Sequence, residues 1–506
     1  MRALGGIWLD RNSRFTLQDQ LVRQIKEFVQ QGRLKPGEAM PSTRELADEL
    51  RLSRNTVVYA YDRLEGEGYL EAESRSGVFV SSSIFLSQHS KWPVELKEIE
   101  SERIRGRPTS KVLGLPAPFR PCQPDVNLFP LAIWNRFRGR VLRHQGRGLL
   151  HYQASCVSGV PALRENLAAY LRDSRGVRCD WRQVVITSGS QQALFILANL
   201  LMKPGDRAYV EDPGYVEARL AWHSVGAKIE VGAVDEQGLP LPGGSSSRFS
   251  LIYTTPSRQF PTGVSMSLPR RLAWIDFAAR TRTWIIEDDY DSELRYHAPP
   301  LPSLQSLDRN NRVIYVGTSS KLLFPSLRLG YVVVPESLLE GFERLKHLID
   351  DHLPLIDQAA LAAFLESGAF FSHIRRCRKA YAERQALFLD LFRKSDLPLE
   401  FRYTDGGMNL AGYLPTGTDD AKWSNRLHAS GFDVPSLAHY SIRRRSPGLV
   451  FGFTAFSPTV IRTSFEGLKR VLQQCIRGSA AISSARPAAI QGSTEPVKHI
   501  SAQGGD

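Results

Sequence analysis

Lys321 stands five residues beyond the apolar run Val313-Ile-Tyr-Val316, inside Gly317-Thr-Ser-Ser-Lys-Leu-Leu-Phe-Pro-Ser-Leu-Arg328-Leu-Gly330. A loop at the carboxyl end of a strand is where α/β proteins keep their ligands, and a lysine amine there can form a Schiff base with an aldehyde. A second apolar run ends in carboxylates and a phenol, Ile285-Ile-Glu-Asp288-Asp-Tyr290-Asp. A third segment, Thr187-Ser-Gly-Ser190-Gln191-Gln192-Ala-Leu, turns from a strand into a helix. The amides of that helix start would hold a phosphate, helped by the hydroxyls of Ser190, Thr318 and Ser320 and the charge of Arg328. Each piece alone is ordinary. Together they supply an amine for an aldehyde, an anion for a pyridinium nitrogen, a phenol for a 3′ oxygen and a phosphate cradle, which is what pyridoxal 5′-phosphate requires.

Another chemistry belongs to the first eighty residues. Ser53-Arg54-Asn55-Thr56 opens a helix, and a helix start presented to the major groove reads bases. Arg54 can bond a guanine edge bidentately, Asn55 can read adenine, and Ser53 and Thr56 can bond phosphate or base. Arg44, on the preceding helix, is placed for a phosphate, and Arg75 beside Gly77 would bring a wing tip to the DNA backbone or minor groove.

The elements that position these groups follow from spacing. Leu17, Leu21, Ile25, Phe28 and Val29 recur at helical intervals until Gly32. Ser42 with Glu45 forms a capping box for a second helix, and Ser53 caps a third that ends at Gly66 or Gly68. Tyr69–Ala72 and Val78–Val80 flank Ser74-Arg-Ser-Gly77 as a hairpin. Three helices and a two-stranded wing make a winged helix-turn-helix, assigned to 1–82. Residues 83–124 hold six prolines among charged residues and read as a linker. From 125 to 478, strand-like runs at 184, 208, 250, 283 and 313 alternate with helical patterns, giving an α/β domain with a largely parallel sheet. Residues 479–506, rich in Ala, Ser, Gly and Gln, are expected to be disordered.

The chain has 506 residues and a net charge of +13. The surplus is not where DNA reading would put it. Residues 1–80 carry 12 Lys/Arg and 12 Asp/Glu, whereas 101–150 carry 10 against 2, so the region from 101 to 150 is expected to add phosphate contacts. Five cysteines without a CxxC pair exclude a disulfide framework and a structural zinc, and no metal is expected. No long apolar segment or signal peptide is present, so a cytoplasmic protein with no membrane partner is expected.

The run from LQDQLVRQIKEFV to SRSGVFV resembles the GntR family of bacterial transcription regulators, through G-x-L-x-P-G, P-S-T-R-E-L-A, L-S-R-N-T-V and E-G-Y-L. Residues 125–478 resemble a fold-type I aminotransferase domain, through TSGSQQAL, EDPGY, PSRQFPTG, IIEDDYDSELRY, VIYVGTSSKLLFPSLRLGY and GGM. The combination is similar to the MocR subfamily. That resemblance implies DNA contacts by Arg44, Arg54, Asn55, Thr56 and the wing near Gly77. It implies that Lys321 bonds the cofactor's aldehyde, Asp288 pairs with its ring nitrogen, Tyr290 bonds its 3′ oxygen and Tyr215 stacks on the ring. Arg328 would grip the phosphate, with Tyr152 reaching the phosphate of a neighbouring subunit. A homodimer with swapped domains, an operator of repeated half-sites and an amine, amino acid or the cofactor itself as effector complete the implication.

The departures from that pattern bear on activity. Phe260 replaces the asparagine of Asn-Pro-Thr-Gly, as is common in the subfamily. Arg258 stands where histidine is usual and Ser319 where phenylalanine is frequent, both expected to reshape the effector pocket. Val450 occupies the place of the arginine that holds a substrate's α-carboxylate, which removes a charge-assisted bond that positions amino acids. A regulator that senses its effector through Lys321 is therefore favoured over an active aminotransferase carrying a DNA-binding domain. A cofactor-free dimerisation scaffold is disfavoured by the retained lysine and phosphate elements.

Overall fold

The computed structural model describes residues 6–82 and 117–484, apart from 12, 14, 74–76, 244–247, 299–300, 403 and 444–445. The chain forms two compact units divided near residue 100.

In the first unit, α1 (Leu17–Gln30) is capped by Thr16, whose side chain accepts from the Asp19 amide, and it buries Leu21, Val22, Ile25, Phe28 and Val29. The capping box of α2 (Thr43–Leu50) forms as expected: Glu45 N donates to Ser42 Oγ at 3.2 Å and Ser42 N to the Glu45 carboxylate at 2.9 Å. Arg51, in the left-handed region at φ 49°, ends the helix. Ser53 caps α3 (Arg54–Gly66), which buries Val57, Ala60, Tyr61 and Leu64. The Tyr61 hydroxyl donates to Pro41 O at 2.9 Å and ties α3 to the entry of α2. The wing is β1 (Leu70–Glu73) paired antiparallel with β2 (Gly77–Val80), the first strand starting one residue later and the second one residue earlier than the spacing predicts. One apolar core joins all five elements.

The second unit is built on seven strands: β3 (Val184–Thr187), β4 (Arg207–Asp212), β5 (Lys228–Ala233), β6 (Leu251–Thr254), β7 (Trp284–Asp289), β8 (Val313–Thr318) and β9 (Gly330–Val333). Their order is β3-β9-β8-β7-β6-β4-β5. Only β9 runs against its neighbours, so the sheet is largely parallel, as expected. Every residue of β3, β6, β8 and β9 is buried, the signature of a sheet covered on both faces. Helices α4 (Leu131–Gln145), α5 (Pro161–Arg175) and α6 (Gly189–Leu201) come first among those around it. A smaller antiparallel sheet, β10 (Glu400–Phe401), β11 (Asn409–Tyr413) and β12 (Gly448–Gly452), is absent from the sequence reading; it packs Phe451 against Phe388, Phe392 and Phe401.

Two expected boundaries are corrected. Residues 117–124 are not linker: Phe119 is 1% exposed, and Gly452 N donates to Phe119 O at 2.7 Å. The proline-rich segment is held by bonds to the far edge of β12, a partner its composition does not announce. The last helix runs Pro458–Ser484, so residues 479–484 are helical, an alanine-containing extension of an established helix, for which no new nucleus is needed. The rest of the expected linker, 83–116, and tail, 485–506, lie outside the described residues. Among the described residues no helix is long and apolar enough to cross a membrane.

Candidate functional site

The start of α3 presents Arg54 and Asn55, both exposed, as is Arg44 on α2. Ser53 and Thr56 are partly engaged: Thr56 N donates to Ser53 Oγ at 3.1 Å and the two hydroxyls lie 2.8 Å apart. Gly77 takes φ +114°, with open space around the position of a Cβ. Arg75 falls outside the described residues.

In the second unit, the carboxyl ends of the parallel strands open onto a cavity of about 190 Å³. Nine of the ten residues expected for cofactor contact line it: Lys321, Asp288, Tyr290, Tyr215, Ser190, Gln191, Thr318, Ser320 and Arg328. Tyr152 does not. It is 91% exposed, with its ring edge-on to His352 at 6.0 Å.

Asp288 sits one residue before the end of β7, in register with Val316 of β8. It is 4% exposed, and its Oδ2 accepts from the Tyr253 hydroxyl at 2.7 Å. Burial pushes its carboxyl up to about 7, against the opposing pull of Tyr253 and Lys321. Four polar atoms on cavity residues are buried without a hydrogen-bond partner: Asp288 Oδ1, Tyr290 Oη, Ser320 Oγ and Gln191 Oε1. Such atoms are costly to desolvate and leave unpaired. They are what a polar ligand would satisfy.

The Arg328 end of the cavity is shaped by close backbone approach. A Cβ on Gly330 would lie 2.6 Å from the Gly189 carbonyl carbon, and one on Gly189 would lie 3.3 Å from the Arg328 guanidinium. Arg328, itself at φ 53°, donates to Ser188 O at 2.9 Å, so its charge stands at the entry of α6. Thr318 Oγ1 accepts from Ser320 N at 3.2 Å and fixes the turn before Lys321. On the opposite wall, Glu211 accepts from Thr254, Thr255 and Gln259, and Asp212 accepts the Ile442 and Arg443 amides; together they brace the segment that ends in Tyr215.

The structure corrects two of the expected departures. Arg258 lies behind the cavity, not in its wall: it pairs with Asp291 at 3.3 Å, donates to Asn409 O, and fills the space where a Cβ on Gly407 would be. Ser319 faces a separate small space lined by Leu167, Tyr170, Leu361 and Phe370. Phe260 does line the cavity, edge-on to Tyr215, Tyr290 and Tyr440. Val450 is fully buried in an apolar cluster with Ala411, Leu437 and Tyr440. Lys321 and Arg328 are the only cations among the described residues lining the cavity.

Cys122 is the residue that the sequence reading passes over. It lines the cavity, its carbonyl accepts from Lys321 Nζ at 3.2 Å, and its Sγ donates to Asn409 Oδ1 at 3.3 Å. Its φ of +56° lies in the region that side chains rarely adopt, and burial raises its thiol to about 11. Tyr253 and Thr255 are likewise contributed without a sequence motif.

Residues 17–80 match the model of the bacterial regulatory proteins of the gntR family, and residues 138–415 that of aminotransferase class I and II. Over 91% of its length the chain is 35% identical to a probable rhizopine catabolism regulatory protein, MocR, of Rhizobium meliloti, covering 94% of that protein. The chain belongs to the MocR subfamily of GntR-type transcription regulators. A second relative of this MocR-type chain is the pyridoxine biosynthesis regulator PdxR of Corynebacterium glutamicum, 32% identical over 88% of this chain and 93% of that one. Among solved structures, Pyrococcus horikoshii kynurenine aminotransferase superposes on the second unit with a TM-score of 0.66 and 26% identity, over 72% of this chain and 92% of the enzyme. This MocR-type chain thus joins a DNA-binding head of GntR type to a fold-type I aminotransferase domain.

Proposed function

We propose that the protein is a pyridoxal 5′-phosphate-dependent transcription regulator, in which an amine, an amino acid or the cofactor itself acts at Lys321 and alters promoter binding by the winged helix. The observation that carries this reading is the set of unpartnered buried polar atoms gathered around Lys321 in one cavity. The residues present fit the cofactor. Asp288 would pair with the ring nitrogen, Tyr290 would bond the 3′ oxygen, Tyr215 would stack on the ring, and Ser190, Gln191, Thr318, Ser320 and Arg328 would hold the phosphate. When bound, the cofactor supplies an aldehyde that bonds primary amines.

Tyr152, exposed on one copy, completes the phosphate site of a second copy in a homodimer with swapped domains. On the DNA side, Arg54 and Asn55 read bases, Ser53, Thr56 and Arg44 hold phosphates, and Arg75 with Gly77 brings the wing to the backbone, at an operator of repeated half-sites. Efficient transamination is disfavoured because Val450 occupies the place of the arginine that holds a substrate's α-carboxylate.

Fluorescence anisotropy with promoter DNA, with and without cofactor and a panel of primary amines, tests the reading. At least one amine is expected to change the affinity of the wild type and to leave Lys321→Ala unaffected. An identical response in Lys321→Ala overturns the role of the lysine.

A further inference from the structure

Residues 131–150, spanning α4 and the turn Gly146–Leu150 that follows it, contain five arginines and neither aspartate nor glutamate. Helix α4 buries Trp134 and Val141 against the helix Leu355–Glu366. Arg136, Arg140 and Arg143 follow at intervals of four and three within α4, a spacing that places them along one face, away from the buried pair, and Arg147 follows in the turn beyond Gly146. All four are exposed. Arg138, on the flank, pairs with Asp357 at 3.0 Å; the other four have no ion pair among the described residues. Two exposed arginines on other helices of this unit, Arg280 and Arg344, are by contrast paired along their own helix with Asp276 and Glu340.

Like charges four residues apart on a helix destabilise it, so this stripe is an arrangement that folding alone does not favour. A polyanion lying along it would reverse the sign of that cost. The first unit needs such help: residues 1–80 have equal numbers of basic and acidic side chains, while affinity for a duplex comes largely from phosphates neutralised by Lys and Arg.

We propose that the Arg136-Arg140-Arg143-Arg147 face of α4 and its following turn is a second DNA-binding surface, which takes the phosphate backbone of duplex DNA without reading its bases. The proposal rests on the DNA-binding part of the function above, and its failure is separable from that reading's.

The test is the salt dependence of binding of the full-length protein to a mixed-sequence duplex, by anisotropy, beside its sedimentation. A variant with all four arginines changed to glutamine is expected to bind with a slope of log K against log salt shallower by about 3 to 4 per chain, since each neutralised phosphate contributes about 0.9. The paired variants R136Q/R140Q and R143Q/R147Q should each show about half of that change, which keeps the test valid if the fourfold variant folds poorly. Arg280→Gln/Arg344→Gln is the control and should leave the slope unchanged. An unchanged slope in the stripe variants, or an equal loss in the control, overturns the proposal. So does dissociation of the stripe variants into smaller species, which would make the face a contact between copies. Failure of the wild type to bind any duplex would overturn the DNA-binding reading itself, and this proposal with it.

Discussion

Asp288 carries a cost that can be measured. Its carboxyl is buried at the end of β7, and loss of hydration raises it from the ordinary 3.8 to about 7. In the cofactor-free protein the folded state therefore favours the proton-holding form, while the unfolded chain ionises at the ordinary value. Stability from this group is fully present below pH 3.8 and is lost as the pH rises through about 7. At about 1.4 kcal/mol for each pH unit, ionised Asp288 costs the cofactor-free protein about 4 kcal/mol above pH 7, of which roughly 2 to 3 kcal/mol accrues between pH 5 and pH 8. Asparagine has no proton to release and can still accept from Tyr253. The Asp288→Asn protein should therefore gain about 2 to 3 kcal/mol on the wild type between pH 5 and pH 8. Any fixed cost of burying the amide cancels between the two pH values, and Asp291, also raised to about 7 by burial, is present in both proteins. Urea unfolding of the cofactor-free proteins, followed by the fluorescence of buried Trp222 and Trp274, supplies the numbers. A difference between variant and wild type that is the same at both pH values, to within about 0.5 kcal/mol, would refute the assignment of a buried, proton-holding Asp288. Under the proposed binding of the cofactor, the same substitution should also weaken its retention, because asparagine cannot supply the negative charge proposed to pair with the ring nitrogen.

Arg175 and Asp289, 0% and 1% exposed and 2.8 Å apart, tie α5 to the end of β7. Arg175→Met should cost about 3 to 5 kcal/mol in urea unfolding by stranding a buried charge, with Arg175→Met/Asp289→Leu recovering most of it; an unchanged midpoint in the single variant would contradict this. Arg54→Ala should weaken operator binding about 10- to 100-fold and relax preference at one base pair, and competition with single-base operator variants separates this from a uniform loss, which would mean a phosphate contact. Cys122→Gly relieves the left-handed backbone and removes a side chain from the cavity wall, so bulky primary amines should bind about tenfold better, roughly 1.4 kcal/mol of relieved crowding. Spectral titration of the cofactor-loaded protein with amines of graded size reads it, and an unaltered size ranking would rule Cys122 out as a determinant.

Local signals in the sequence were dependable. Ser42 and Glu45 sit at capping-box spacing and form the box, and the runs ending at Asp288 and before Lys321 are strands because both faces of the sheet are covered. Contacts between distant segments were not legible. Cys122 reaches Asn409 across 287 positions, from a stretch whose prolines suggest a linker, and only pairing with β12 makes it part of the wall. Arg258 carries a motif position but pairs with Asp291 outside the cavity wall, because Gly407 leaves room for its guanidinium. Spacing alone reports neither the direction of a side chain nor its buried partner.

The most direct test of the central claim is the visible absorption spectrum of the purified protein, loaded with pyridoxal phosphate and freed of excess, beside Lys321→Ala. The wild type should keep a band of lysine-bound cofactor that primary amines shift, and Lys321→Ala should lack it. If neither protein retained cofactor, or if both gave the same spectrum, the cavity around Lys321 would not be the sensing site.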